Sequence, residues 1–352
     1  MKENKNIYEL IERLKINRKL SKAEYVCLLT NATPQIAEDL RRKACKVREE
    51  VYGKQVYIRG LIEISNICKN DCFYCGIRKS NPHVQRYRLL PEEILACCQE
   101  GYELGFRTFV LQGGEDAYYT DEVLCKLIKE IKQAHPDCAV TLSLGERDRE
   151  SYKRLYDAGA DRYLLRHETA DPCHYNALHP QDMSWEKRMR CLRNLRQIGY
   201  QTGCGMMVGS PYQSVEQLAE DLTFIDTFLP DMCGIGPFIP AKHTPFEKEK
   251  AGSVDLTCYL LSIIRLIRPN ILLPSTTALG SLDPMGREKG ILSGANVVMP
   301  NLSPKNVRRK YSLYDNKVSD GAESAQSMQS LLERMRAIGY EIVTDRGDIK
   351  NK

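Results

Sequence analysis

The chain has a single tryptophan in 352 residues, no uninterrupted apolar run long enough to span a bilayer, and no apolar core behind its opening Met-Lys-Glu-Asn-Lys-Asn. A transmembrane helix and a secretory leader are therefore not expected, and the expected setting is the cytoplasm. An excess of one charge is missing too: 51 Lys and Arg face 46 Asp and Glu, a net +5 with no basic or acidic tail. Nucleic acid and membrane surfaces gain little support as partners from such a balance. The 14 cysteines show no paired framework of the kind that staples small secreted domains. Most sit in apolar helical or strand patterns, where a free thiol behaves as a small buried hydrophobe. So many thiols are a liability in air, in keeping with an anaerobic setting.

What is present is the patterning of one large α/β domain. Hydrophobic residues make up 42% and charged residues 28% of the chain, and the length suits one closed barrel plus an extension. Apolar positions at helical spacing (Ile7, Leu10, Ile11, Leu14, then a run from Glu24 to Val51) predict a helical N-terminal extension over residues 1–52. From residue 53 the pattern changes to short β-rich runs separated by amphipathic helices. Strands are expected at Val56–Ser65, Thr108–Gln112, Val140–Leu144, Arg162–Arg166, Gly203–Val208, Met232–Gly236, Ile271–Thr276 and Asn296–Met299. Gly105, Gly159, Gly199 and Gly294 punctuate helix-to-strand transitions. Eight such units predict a (β/α)8 TIM-type barrel over residues 53–310. Residues 311–352 are expected to close it, with a helix at Ala322–Ile338 and a polar tail that frays.

In such barrels chemistry gathers at the C-terminal ends of the strands. The first strand is followed by Cys68-x3-Cys72-x2-Cys75, spaced by the loop formers Lys69, Asn70 and Asp71. Three thiolates this close can ligate three irons of a cubane and leave the fourth open. Zinc would ordinarily need a fourth Cys or His at short spacing, and His83 is the only nearby donor. Strand two ends in Gln112-Gly113-Gly114-Glu115-Asp116, where glycines permit close backbone approach. Strand four ends in Arg166-His167-Glu168-Thr169; alternation puts Arg166 and Glu168 on one face, as a salt bridge or as a pair suited to a zwitterion, with His167 turned into packing. By spacing alone, Arg188 is one solvated charge among several.

The CxxxCxxC loop after the first strand resembles the hallmark of the radical S-adenosylmethionine (SAM) superfamily. The resemblance implies one [4Fe–4S] cluster on Cys68, Cys72 and Cys75, and SAM bound at the open iron and cleaved to methionine and a 5′-deoxyadenosyl radical. It further implies that Gly113, Gly114 and Glu115 meet the methionine ammonium and that Arg188 meets its carboxylate. Tyr74, Thr141, Ser143, Arg166, Glu168 and Met207 are placed around the same cofactor.

Longer blocks resemble the HydE family of [FeFe]-hydrogenase maturases: Ile62–Cys68, Leu142–Glu146, Tyr163–Ala170, Gly234–Pro240, Thr276–Gly280 and Gly294–Asn301. They cover roughly residues 50–315. This resemblance implies a role in building the hydrogenase di-iron subcluster, acting on an iron–cysteine carbonyl cyanide complex, with transient contact to the other maturases HydG and HydF. It places Thr276, Thr277, Tyr311 and Tyr314 in the substrate cavity, although by pattern alone both tyrosines could be packing or surface residues. Some members hold a second, [2Fe–2S] cluster through C-terminal cysteines, but no cysteine follows Cys258 here, so a single cluster is expected. The competing readings are a methylornithine synthase-like lysine mutase, biotin synthase, and a non-catalytic iron–sulfur scaffold.

Overall fold

The computed structural model describes residues 2–318 and 324–350. Three helices come first, α1 (Lys2–Asn17), α2 (Lys22–Thr30) and α3 (Pro34–Tyr52). Their starts are written locally: Ser21 and Glu24 form a capping box, and Thr33 caps Ile36 ahead of Pro34. Ile36, Leu40, Ala44 and Val47 bury one face of α3. That face packs on the helix Val254–Ile267, and α2 packs on the helix Val215–Phe228. Buried tyrosines pin the joint: Tyr25 donates to Asp226 Oδ2 at 3.0 Å, and Tyr259 to the Leu28 carbonyl at 2.9 Å.

The strands are β1 (Gln55–Ile58), β2 (Gly60–Ser65), β3 (Thr108–Gly113), β4 (Ala139–Ser143), β5 (Arg162–Leu164), β6 (Gln201–Cys204), β7 (Met207–Val208), β8 (Met232–Cys233), β9 (Gly236–Pro237), β10 (Val297–Val298) and β11 (Glu341–Val343). A parallel sheet runs β2-β3-β4-β5-β6-β8. Single bridges, Met232 to Leu272 and Pro274 to Val297, carry it on to β10, and β10 pairs with β1, which closes the TIM-type barrel. Helices cover its outer face.

The structure departs from the expected strands at definite places. The first strand breaks at Arg59, so its lower half pairs with β10 and its upper half with β3. The fifth and sixth strands each split in two, β6 from β7 and β8 from β9, where Gly205 (φ +158°) crosses Gly234. A Cβ on Gly205 would lie 2.1 Å from the Gly234 carbonyl, so a full side chain cannot pass there. The run Ile271–Thr276 occupies the seventh position without a continuous ladder, and Pro274 has no N–H to donate to one.

The tail is ordered rather than frayed. β11 pairs in parallel with β1 (Val56 with Ile342), and residues 346–349 cross the floor of the barrel. Asp348 receives the buried Arg162 guanidinium at 2.5 Å and the Gln201 amide at 2.8 Å, and Arg162 also reaches the Arg346 carbonyl at 2.8 Å. Arg346 pairs with Asp161 at 2.9 Å. These residues are polar because their partners at the floor are polar. The C-terminal helix spans Met328–Ala337 after a short 3-10 turn at Ala325–Ser327; positions 322 and 323 of the expected helix lie outside the described residues.

Candidate active site

The register of β2, β3 and β4 sets Glu63, Gln112 and Ser143 side by side at the open end of the barrel. From there the chain leaves β2 into the cysteine loop, whose shape is held by its own polar residues. Asp71 takes Arg78 in two hydrogen bonds, 2.8 and 2.5 Å, and the Ser80 amide at 3.0 Å. Burial would raise its pKa, but these partners overcome it and hold the carboxyl at about 2. Arg86 gathers the carbonyls of Asn66, Ile77 and Arg78 within 2.7 Å. Arg88 and Ser65 both bind Asp116, at 2.6 and 2.7 Å, which fastens the end of β2 to the loop after β3.

The glycine pair after β3 lies directly against that loop. A Cβ on Gly114 would meet the Ile67 carbonyl at 2.3 Å and Cys68 Cβ at 2.8 Å, so only glycine fits. The Glu115 amide points at Cys68 Sγ, 3.4 Å away, and the Lys69 amide donates to the Glu115 carbonyl at 3.1 Å. The Glu115 carboxylate is engaged within the protein, by Lys69 Nζ at 2.9 Å and the Glu146 amide at 3.0 Å. The contribution this motif leaves available to a ligand is therefore backbone.

Burial pushes all three thiols up, Cys72 strongly and Cys75 to about 12, with the neighbouring cysteines adding to the rise at Cys72 and Cys75. Thiolates persist in such a place only when bound to cations. Among the described residues no three His, Cys, Asp or Glu side chains converge on one point as a mononuclear metal requires. Cys72 Sγ sits 3.7 Å from Met183 Sδ, and the next residues, Phe73 and Tyr74, pack into an apolar wall with Leu178, Met207 and Phe238.

Across the mouth, Arg166 and Glu168 approach to 3.4 Å. Strand alternation does not explain this, because β5 ends at Leu164 and Glu168 adopts φ +65°. The strained backbone turns the carboxylate inward; strain of this kind concentrates at functional sites. The two are within ion-pair distance but not in hydrogen-bond geometry, and Arg166 Nε, Arg166 Nη2 and Glu168 Oε2 are buried without a hydrogen-bond partner. Thr141 Oγ1 and Thr276 Oγ1 share that condition. Unsatisfied donors and acceptors at one mouth are what a polar, zwitterionic ligand would complete. His167 faces away, accepting from the Gly205 amide at Nδ1 and facing Asp221 at Nε2, a satisfied packing histidine as expected.

Arg188 is buried, not solvated. It gives Nε to Glu146 at 2.7 Å and Nη1 to the Arg166 carbonyl at 2.7 Å, fixing the loop after β5. Tyr311 is buried under the cysteine loop beside Glu63, Gln112 and Cys75. Thr277 opens the helix Thr277–Leu282, and Tyr314 is half-buried on the segment after Tyr311. Sequence reading missed His179, which links Tyr74 to Tyr175, and the buried ion pair of Glu63 with Lys317. Neither lies in a local motif; His179 becomes visible only when the helix Pro172–Leu178 folds over Phe73. A cavity of about 870 Å³ lies at the starts of helices 121–134 and 149–157 and is bordered by Lys69, Gly114 and Glu115.

The radical SAM superfamily model matches residues 62–225. The [FeFe] hydrogenase maturase subunit HydE of Thermotoga maritima is 40% identical over 346 residues, 98% of this chain and 97% of that protein. The 3-methylornithine synthase of Methanosarcina acetivorans is 28% identical over 324 residues, 92% of this chain and 90% of that one. Among solved structures, methylornithine synthase (PylB) superposes with a TM-score of 0.84 at 26% identity, covering 95% of this chain and 97% of the other.

Proposed function

The chain belongs to the radical SAM superfamily and, within it, to the HydE family of [FeFe]-hydrogenase maturases, and on that premise we propose that it cleaves SAM reductively during assembly of the hydrogenase di-iron subcluster. The observation that carries the reading is a cysteine triplet at the barrel mouth together with the Arg166–Glu168 ion pair, whose Nε, Nη2 and Oε2 atoms are buried without a hydrogen-bond partner. Cys68, Cys72 and Cys75 would each hold one iron of a [4Fe–4S] cluster. Such a cluster, with SAM bound, would supply the one-electron chemistry that cleaves the cofactor.

The chain's own residues bind, orient and exclude water. The Gly113–Gly114 backbone and Arg188 receive the methionine end, while Tyr74, Met207 and the apolar wall shield it from solvent. Glu168 is assigned to the cofactor's ammonium or ribose hydroxyls and Arg166 to an anionic group, with Thr141 and Ser143 beneath them. Thr276, Thr277, Tyr311 and Tyr314 are assigned to the substrate, an anionic iron–cysteine carbonyl cyanide complex, whose oxygens and nitrogens call for hydroxyl and cationic donors. The proposed setting is the cytoplasm, with HydG and HydF as transient partners; among the described residues no helix is long and apolar enough to cross a membrane.

The test is direct. Anaerobically reconstituted protein given dithionite and SAM should release 5′-deoxyadenosine and consume the iron–cysteine complex. Loss of SAM cleavage altogether would leave a scaffold; cleavage that processes lysine but not the iron complex would favour the mutase reading, which the PylB likeness keeps in view.

A further inference from the structure

Beside Cys75 the cysteine loop is flanked by a rim in which Lys242, Arg309 and Lys310 outnumber the one lining carboxylate, Asp315. A cavity of about 370 Å³ is floored by Gly76, the residue after Cys75, and walled by His83, Lys242, His243, Arg309 and Lys310. The Gly76 amide donates to the Leu313 carbonyl at 2.8 Å, and a Cβ there would strike the Ser312 carbonyl at 2.3 Å, so the cysteine loop and the 309–315 segment are in direct contact. His83 and His243 stack with ring centres 3.8 Å apart, which joins the loops around 83 and 243 into one rim. His83, Lys242, His243 and Arg309 are exposed. The one carboxylate in the lining, Asp315, accepts from the Lys242 amide at 3.1 Å. The larger cavity on the other side of the loop has no such bias: Lys69, Arg147, Arg149, Lys187 and Arg190 there face five carboxylates.

We propose that this rim docks an acidic one-electron carrier protein. The inference rests on the function proposed above, which needs one electron from outside the chain. The carrier's centre loses that electron and the cluster on Cys68, Cys72 and Cys75 gains it. An excess of cations, Lys242, Arg309 and Lys310 against Asp315, would steer an anionic partner and fix its approach. Electron-transfer encounters are small and short-lived, so a compact patch suffices.

The test uses the reconstituted holoenzyme and a bacterial two-cluster [4Fe–4S] ferredoxin as probe. Lys242→Glu with Lys310→Glu should weaken ferredoxin binding by roughly tenfold or more and flatten its salt dependence. Stopped-flow reduction of the cluster by ferredoxin should slow in proportion, while 5′-deoxyadenosine release driven by dithionite stays within about twofold of the parent. Lys126→Glu with Lys129→Glu, an equal charge change on the helix Asp121–Ala134, should alter none of these. Alanine at 242 and 310 gives a milder pair should the double reversal fail to fold. Ferredoxin affinity and reduction rate unchanged in the rim variants, or lowered equally in the control, overturn the proposal. A parent protein that binds ferredoxin but releases no 5′-deoxyadenosine with dithionite would instead overturn the function proposed above.

Discussion

The Tyr74 hydroxyl donates to Nε2 of His179 at 3.2 Å, and that nitrogen can accept because the Nδ1–H is committed to the Tyr175 carbonyl at 2.9 Å. One neutral tautomer is thereby selected, and the ring that sits beside Cys72 is held by a residue more than a hundred positions away. His179→Phe should leave the Tyr74 hydroxyl buried without an acceptor and cost about 1–3 kcal/mol. Thermal unfolding of the metal-free chain measures this, and His179→Gln, which keeps an acceptor, should recover part of it.

The same histidine makes stability depend on pH. Burial first, then the charge of Arg188, lowers its pKa from 6.5 to about 4. The unfolded chain therefore takes up a proton before the folded one, and stability present above about pH 6.5 is lost as pH falls towards 4. His174 and His135 are lowered by burial and add in the same direction. Unfolding midpoints in urea should drop across this window, with His179 responsible for up to about 3 kcal/mol. A slope unchanged in His179→Gln would refute the assignment.

Gly114→Ala tests the contact between the glycine motif and the cysteine loop. Its new Cβ would lie 2.3 Å from the Ile67 carbonyl, backbone that cannot swing aside. Iron incorporation should fall severalfold while far-UV circular dichroism stays native, because the clash is confined to the loop.

Arg188→Lys removes the fork that joins Glu146 to the Arg166 carbonyl. A lysine cannot hold both, so affinity for SAM should fall by roughly 10- to 100-fold with the cluster still assembled. Isothermal titration of SAM into the reconstituted variant reads this, and unaltered affinity would remove Arg188 from the site.

At the floor, Asp348→Asn leaves the buried Arg162 guanidinium without its carboxylate. Asp348 keeps some contact with solvent, so the cost should be about 2 kcal/mol, less than for a fully enclosed pair. A chemical unfolding curve of the metal-free chain measures it.

The barrel and the cysteine loop were legible because both are local: apolar runs, glycine stops and a triplet within eight residues. The breaks in the fifth and sixth strands were not, since they arise where Gly205 meets Gly234 across two strands. Arg188 looked solvated because its neighbours Glu186, Lys187 and Arg190 are polar, yet Glu146 and Arg166, brought in from other units, bury it. The convergence of Arg166 and Glu168 was foreseen for an insufficient reason. A left-handed residue, not the pleat, turns Glu168 inward. The tail was misjudged because a three-residue strand is too short to show a hydrophobic pattern, and Arg346 and Asp348 beyond it are charged to match Asp161 and Arg162.

Arg59, at the break in the first strand, touches the Gly347 carbonyl 288 positions downstream. A growing chain thus emerges with its first strand and its three loop cysteines long before the residues that close the floor beneath them. Until residue 348 has been made, Arg162 lacks its carboxylate partner and Arg59 its contact with the Gly347 carbonyl. Completion of the barrel is for this reason an event that follows synthesis of every strand, and the cysteine loop is made long before the chamber beneath it is finished.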